Sequence, residues 1–403
     1  MIKKPDIKIG IITIYYRNFN YGGLLQSYAL TEFLNQQDGF QAEQISYSPP
    51  PRKKSFHENW DLIKGFSITS LFEKLGIKLD ILARTILKPD ISNKFVKRKQ
   101  LCNDFRSKIS HSAETAVKDL KALNDNYDVF ISGSDQVWNP NTFRSPYFLD
   151  FAADNKKKIA FAASMGVNDL SVRQRKLLLP LIKRFDFISV REKKAKELLE
   201  KYIPGIKVDA VSDPALLLDS SDWNKIARSL IQDQKYIYAY FLGERQKNIR
   251  LAAKTAQMLN LPIAAVPYIY RRYNGFDHRF GDITLYDAGP CEFLGLIKDA
   301  ELILTDSFHA AVFSVIYKKP FFVYDRDRES DTNSMNSRLI DFLDDLGLAG
   351  RRISNKNQLT KEKIAEAIDY KKVYSILEAK RKDTMEFLLK ALDSTPEVLK
   401  ERE

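Results

Sequence analysis

Ser307 and His309 lie two residues apart in Thr305-Asp306-Ser307-Phe308-His309, between an apolar run (Ala300 to Leu304) and a helix-like segment (Ala310 to Tyr317). A second apolar run, Phe321 to Tyr324, follows Lys319-Pro320. Strand, short polar turn, helix and strand make a βαβ unit, whose ligands lie at the carboxyl ends of the strands. The turn therefore sets a hydroxyl and an imidazole beside the N–H groups that open a helix, a natural anion site. An imidazole titrates near neutrality when unperturbed, which suits it to proton transfer. Histidine is scarce here: only His57, His111, His278 and His309 occur. The same residues also fit a helix start capped by Ser307 or Asp306, with His309 packed in the first turn.

The elements that must position this turn alternate between strand and helix along most of the chain. Lys8 to Tyr15 reads as a strand, Asn18 to Gly23 as a turn and Leu24 to Gln36 as a helix. Further strands are expected near 42–47, 127–132, 158–163, 185–190 and 208–211. A new series begins at Tyr236 to Leu242, and the region from Arg338 to about Leu392 is mostly helical. Two successive α/β series predict two Rossmann-like domains, 1–218 and 219–403, with the boundary near Leu218 to Gln234. The cleft between them is the expected site. Several strands end in small polar residues: Asn20-Tyr21-Gly22, Gly133-Ser134-Asp135, Ser164-Met165-Gly166 and Arg191-Glu192. Glycine also serves such loops for backbone reasons alone.

Composition narrows the function classes. At 403 residues, with 44% hydrophobic residues, the chain is long and apolar enough for two cores. Two cysteines, Cys102 and Cys291, exclude a disulfide framework and offer no zinc spacing. No Asp-x-Asp or other metal cluster is evident, so no metal and no cofactor are expected. The first apolar stretch, Ile7 to Tyr16, is short and reads as a strand, not a signal peptide. No run approaches the roughly 18 apolar residues of a membrane span, so a soluble, cytoplasmic protein is expected. The net charge is +12. Between Arg52 and Arg106, thirteen Lys/Arg stand against six Asp/Glu. That basic segment suits an anionic partner. Without a zinc finger or RNP motif, nucleic acid is the least favoured. Within it, Ile68, Leu71, Phe72, Leu75, Leu79, Leu82 and Ile86 recur at helical spacing among lysines. Such a basic amphipathic helix is a candidate for peripheral contact with the inner membrane surface, or its apolar stripe packs on the first domain.

Taken together, Asn20-Tyr21-Gly22, Leu25-Gln26, Gly133 to Asn139, Ser164-Met165-Gly166, Ser189 to Glu192, Asp213-Pro214 and Thr305 to His309 resemble the polysaccharide pyruvyl transferase family. The resemblance runs from about Gly10 to Gly347. It implies a glycosyltransferase-B-like fold of two facing Rossmann domains, with C-terminal helices. It also implies transfer of pyruvate from phosphoenolpyruvate onto two hydroxyls of one sugar, forming a cyclic ketal. Acceptors in such a family are often saccharides on a lipid carrier. Many members carry an Arg two residues before the His, where this chain has Ser307. Arg191, Arg338 and the pair Arg271-Arg272 are candidate replacements.

Phosphoenolpyruvate carries a carboxylate and a phosphate, which the planar fork of arginine binds bidentately. Ketal formation needs a general acid, a general base and charge stabilisation. His309 is the candidate acid and Asp135 the candidate base, although Asp at a strand end also serves as a turn residue. Arg191, Arg338, Ser307, Ser164 and Gly166 are expected on the donor. Asn20, Tyr21, Gly22, Ser134 and Trp138 are expected on the acceptor, with Tyr21 and Trp138 stacking on the sugar or anchoring loops. Two other readings remain at this stage. A nucleotide-sugar glycosyltransferase of the same fold would need an acidic group for the ribose, and Ala310 to Tyr317 contains no Asp or Glu. A non-catalytic glycan-binding protein would lack substrate-dependent phosphate release.

Overall fold

A computed structural model describes residues 6–48, 88–243, 246–267, 280–326, 337–354 and 359–394. The stretch from Ile68 to Ile86, the pair Arg271-Arg272, His57 and His278 lie outside the described residues. Two six-stranded sheets form the framework. The first holds β1 (Ile7–Ile12), β2 (Phe40–Gln44), β3 (Val129–Ser132), β4 (Lys157–Ala163), β5 (Phe187–Val190) and β6 (Asp209–Ala210), in the order β2-β1-β3-β4-β5-β6. The second holds β7 (Ile237–Tyr240), β8 (Ile263–Ala265), β9 (Ile283–Thr284), β10 (Leu302–Thr305), β11 (Phe321–Tyr324) and β12 (Arg352–Ile353), in the order β12-β11-β10-β7-β8-β9.

All strand pairings in both sheets are parallel, and β3, β4, β7, β10 and β11 are buried along their whole length. This is the pattern of sheets covered on both faces, and it explains why their strands read as continuous apolar runs. The strand order reverses between β1 and β3 and again between β7 and β10, and ligands of open α/β sheets bind at such reversals. Asp135 follows β3, and His309 follows β10.

Three largely buried helices join the halves. The first, α1 (Tyr21–Asn35), starts three residues earlier than its sequence suggests. Asn20 caps it by accepting the Gly22 N–H at 3.0 Å, so the supposed turn is the first turn of the helix. Of the second half's helices, α4 (Pro290–Asp299) and α5 (Phe308–Ile316) share one apolar core with α1. Helix α5 is buried at every residue. The other helices used below are α2 (Pro89–Arg106), α3 (Lys193–Tyr202), α6 (Ser337–Asp345) and α7 (Tyr370–Asp393).

Helix α2, in the described part of the basic segment, buries Arg98 and half-buries Arg106 while Lys94, Lys97 and Lys99 stay exposed. Arg98 is buried over the Tyr21 ring at 4.8 Å, Lys97 pairs with Asp287 at 2.9 Å, and Arg106 donates to the Asn18 carbonyl at 2.9 Å.

The last helix, which sequence order attaches to the second series, returns to the first sheet. Lys157 Nζ donates to the Leu392 carbonyl at 2.5 Å, and Ser212 N donates to Thr384 Oγ1 at 3.0 Å. At its other end, Tyr374 donates to the Ile316 carbonyl at 2.7 Å, so α7 straps the two halves together. Arg381 supplies the centre of the strap by donating to the carbonyls of Leu216 (2.6 Å) and Leu218 (3.1 Å). Replacing Arg381 by Ala is predicted to lower stability by about 1.5–3 kcal/mol, the scale of a charged hydrogen bond. Urea unfolding checks this, and a change below about 0.5 kcal/mol would show that the strap does not depend on it.

Candidate active site

Asp213 occupies the turn after β6 and is fully buried. Its Oδ1 accepts the Ala215 N–H at 3.0 Å, which fixes the carboxylate at the head of a short 3-10 turn opened by Pro214. Oδ2 lies 2.6 Å from Arg191 Nη1, 3.4 Å from Ser134 Oγ and 3.6 Å from His309 Nε2. Burial pushes this carboxyl up, but His309, Arg191 and the Ala215 N–H outweigh it and hold it well below the usual carboxylate range. Asp213 and Arg191 come from the first sheet and His309 from the second, so the ion cluster exists only at the junction.

His309 is held from the other side by Gly22. A Cβ at Gly22 would overlap the imidazole at Nδ1, so only glycine lets the α1 backbone approach the ring this closely. Asp135 stands nearby with φ 67°, a left-handed conformation that Asp tolerates better than most residues. Its carboxylate lies near Gly23 in the first turn of α1, where a negative charge is favoured. Asp135 is half-buried.

Arg191 is buried with its guanidinium 4.5 Å over the Phe308 ring. Burial opposes its charge, but Asp213 and Glu192 raise its pKa above the ordinary value. Its Nε lies 3.5 Å from Glu192 Oε1, while Nη2 has no hydrogen-bond partner among the described residues. Arg338, on α6, is also buried. Burial, then the like charge of Arg191, lowers its pKa to about 10, with Glu192 acting in the opposite direction. Two buried guanidiniums that repel one another stabilise any anion placed between them. Both line a cleft together with Glu192, Asp213, Phe308 and Asp341.

Several sequence expectations change here. Trp138 is fully buried, stacked on Phe148 at 5.7 Å and edge-on to Phe185 at 5.3 Å, so it has no face for a sugar. Tyr21 is likewise buried, stacked on Tyr240 at 6.0 Å with its hydroxyl donated to the Ala288 carbonyl. Both rings anchor the core. Asn20 is spent on capping α1, and Ser307 caps α5 by accepting the Ala310 N–H at 3.5 Å. Ser134 directs its hydroxyl to Asp213, and Ser164 donates to Glu192 Oε1 at 2.5 Å. Gly166, at φ 61°, lets the Gln136 amide pack where a Cβ would come within 2.8 Å. These residues build the walls and orient the charges.

Sequence reasoning assigns no role to Asp213 or Glu192, although both belong to motifs at strand ends. The signal that marks Asp213 is an acidic residue just past a strand and directly before Pro214, at the head of a 3-10 turn. Asp306 also does more than its sequence suggests. Its two oxygens accept the N–H groups of Leu242 (2.6 Å) and Gly243 (2.9 Å), tying the β10 turn to the end of β7.

A profile of the polysaccharide pyruvyl transferase family matches residues 20–328, which contain Gly22, Asp135, Arg191, Asp213 and His309. The chain belongs to this family. It is therefore a member of a transferase family that acts in polysaccharide synthesis. No curated protein matches the sequence. Among solved structures, the N-terminal domain of trehalose-6-phosphate phosphatase from Candida albicans is similar at 12% identity, with a TM-score of 0.53 over 97% of each chain. A UDP-N-acetylglucosamine 2-epimerase is similar at 12% identity, with a TM-score of 0.51 over 98% of each chain. Likeness at this identity establishes the fold, a glycosyltransferase-B-like pair of parallel α/β sheets.

Gly22→Ala is predicted to displace the His309 ring and, if that ring takes part in the transfer, to lower kcat about 10²-fold, the scale of a misplaced catalytic group. Steady-state kinetics beside circular dichroism checks it. A folded Gly22→Ala protein with wild-type kcat would separate Gly22 from the placement of the imidazole.

Proposed function

We propose that this chain transfers pyruvate from phosphoenolpyruvate to two hydroxyls of one sugar in a polysaccharide precursor, forming a cyclic ketal and releasing phosphate. The observation that carries this reading is the buried Arg191–Arg338 pair on the wall of a cleft that also holds Asp213, the partner of His309. A trianionic donor offsets the repulsion between the two guanidiniums. These arginines supply the charge that Ser307 does not.

In the proposed reaction, His309 protonates the methylene carbon and makes C2 electrophilic. Asp213 holds the imidazole and stabilises the charge of its protonated form. One sugar hydroxyl attacks C2, phosphate departs, and the second hydroxyl closes the ring. Asp135 takes the proton from one hydroxyl and returns it to His309 for the next turnover. Beyond the sugar acceptor, phosphoenolpyruvate is the only small molecule this chemistry requires. A nucleotide-sugar donor would call for an acidic side chain on α5, and that helix is an unbroken buried row without Asp or Glu.

The acceptor in this reading is carried on a lipid, with the basic segment 52–106 resting on the bilayer. No helix among the described residues is long and apolar enough to cross a membrane.

His309→Ala is predicted to lower turnover about 10²-fold or more at saturating donor. Arg191→Ala and Arg338→Ala are predicted to weaken phosphoenolpyruvate binding by about 1.5–3 kcal/mol each, the worth of a charged hydrogen bond. Phosphate release and titration calorimetry check these expectations. Near wild-type turnover without His309, or unchanged affinity in both arginine variants, would reject the corresponding roles. Flotation with anionic and neutral liposomes tests the membrane contact, and negligible binding to both would exclude it.

A further inference from the structure

If phosphoenolpyruvate is the donor, as proposed above, the proton balance of ketal formation needs a second base, and the structure offers one in Glu192. Two hydroxyls each lose a proton when the ring forms. One proton replaces the proton delivered to the methylene carbon, and the other leaves on inorganic phosphate. The base for the second proton should stand beside the groups that hold the phosphate.

Glu192 meets that requirement. It follows β5 at the head of α3 and is buried. Ser164 fixes Oε1 at 2.5 Å, and the Arg191 Nε lies 3.5 Å from the same oxygen. Oε2 is buried and has no hydrogen-bond partner among the described residues. The side chain lines the cleft with Arg191, Arg338 and Asp341. A buried carboxylate oxygen without a donor is costly, and active sites are where such groups persist. An attacking hydroxyl would supply the missing donor.

We propose that Glu192 is a catalytic residue that takes the proton of the second sugar hydroxyl through Oε2 and passes it to the phosphate already released from C2 and still held beside Arg191 and Arg338. Phosphate first leaves with the electron pair of its bond to C2, and the second C2–oxygen bond then forms as this proton moves. No oxidant or further reactant is needed. Ser164 then acts as a positioning residue that keeps the carboxylate turned so that Oε2 faces the cleft. Arg191, Arg338 and Asp341 are among the charged groups that line the cleft with Glu192.

The test is Glu192→Gln, which keeps the shape and still accepts from Ser164. Wild-type and variant protein are compared by phosphoenolpyruvate calorimetry and by phosphate release across pH with a saccharide acceptor. The expected result is donor affinity within about threefold of wild type, kcat lowered about 10²-fold, and loss of the acidic limb of the kcat profile. A kcat within about threefold of wild type would overturn the proposal. So would unchanged kcat with weaker donor binding, because Glu192 would then only position Arg191. Ser164→Ala is the second variant should Glu192→Gln fail to fold, with kcat expected about tenfold lower at unchanged donor affinity and an unchanged kcat overturning the role. Wild-type protein that binds no phosphoenolpyruvate would sink the donor reading and this assignment with it. Wild-type transfer with a fully active Glu192→Gln would sink this assignment alone.

Discussion

One buried carboxylate, Asp213, sets the geometry of the site. A charge removed from water survives only with partners, and losing one partner leaves the other exposed to the full desolvation penalty. Asp213 finds its partners on both sides of the junction, in Arg191 beside it and His309 across from it. Neither sheet holds the cluster alone. The requirement that these charges meet ties the end of β6 to the start of α5, and Gly22 is the residue that lets α1 lie under the imidazole without collision. The strap formed by α7 then holds the two sheets at the separation the cluster needs.

The same logic explains why a chain without the usual arginine before its histidine still has a cationic pocket. Ser307 is used as a helix cap, a role no arginine fills, and the two guanidiniums come from elsewhere: one after β5, one on α6. Arg191 is stiffened by Asp213 and by the Phe308 ring beneath it, so an anion bound there would cost little side-chain freedom. Arg338 sits in a position where burial and a like charge both disfavour its ionised form. An anion placed between the two guanidiniums would relieve both.

Much of this is legible in the sequence, for identifiable reasons. Parallel sheets buried on both faces write themselves as apolar runs, and β3, β4, β7, β10 and β11 are visible as such. His309 stands out because histidine is scarce and because it opens a helix after a strand. What cannot be read is which polar residues face inward. Tyr21 and Trp138 carry the composition of sugar platforms, yet tertiary packing places both rings in the core. Glu192 and Asp213 look like ordinary loop acids until their partners from distant parts of the chain are known. Burial, partner and direction are properties of the three-dimensional arrangement, and one sequence holds no record of them. The helix start at Tyr21 is hidden for a local reason: Gly22-Gly23 reads as a turn, while Gly22 is there for a contact with the other half of the molecule.

The central claim is that phosphoenolpyruvate binds between the two arginines with its methylene carbon turned to His309. A crystal structure of the complex with phosphoenolpyruvate and no acceptor tests it most directly. Donor oxygens are predicted within hydrogen-bond distance of Arg191 Nη2 and of the Arg338 guanidinium, with the methylene carbon in contact with the imidazole. A donor bound away from both arginines, or with its methylene carbon facing away from His309, would contradict it.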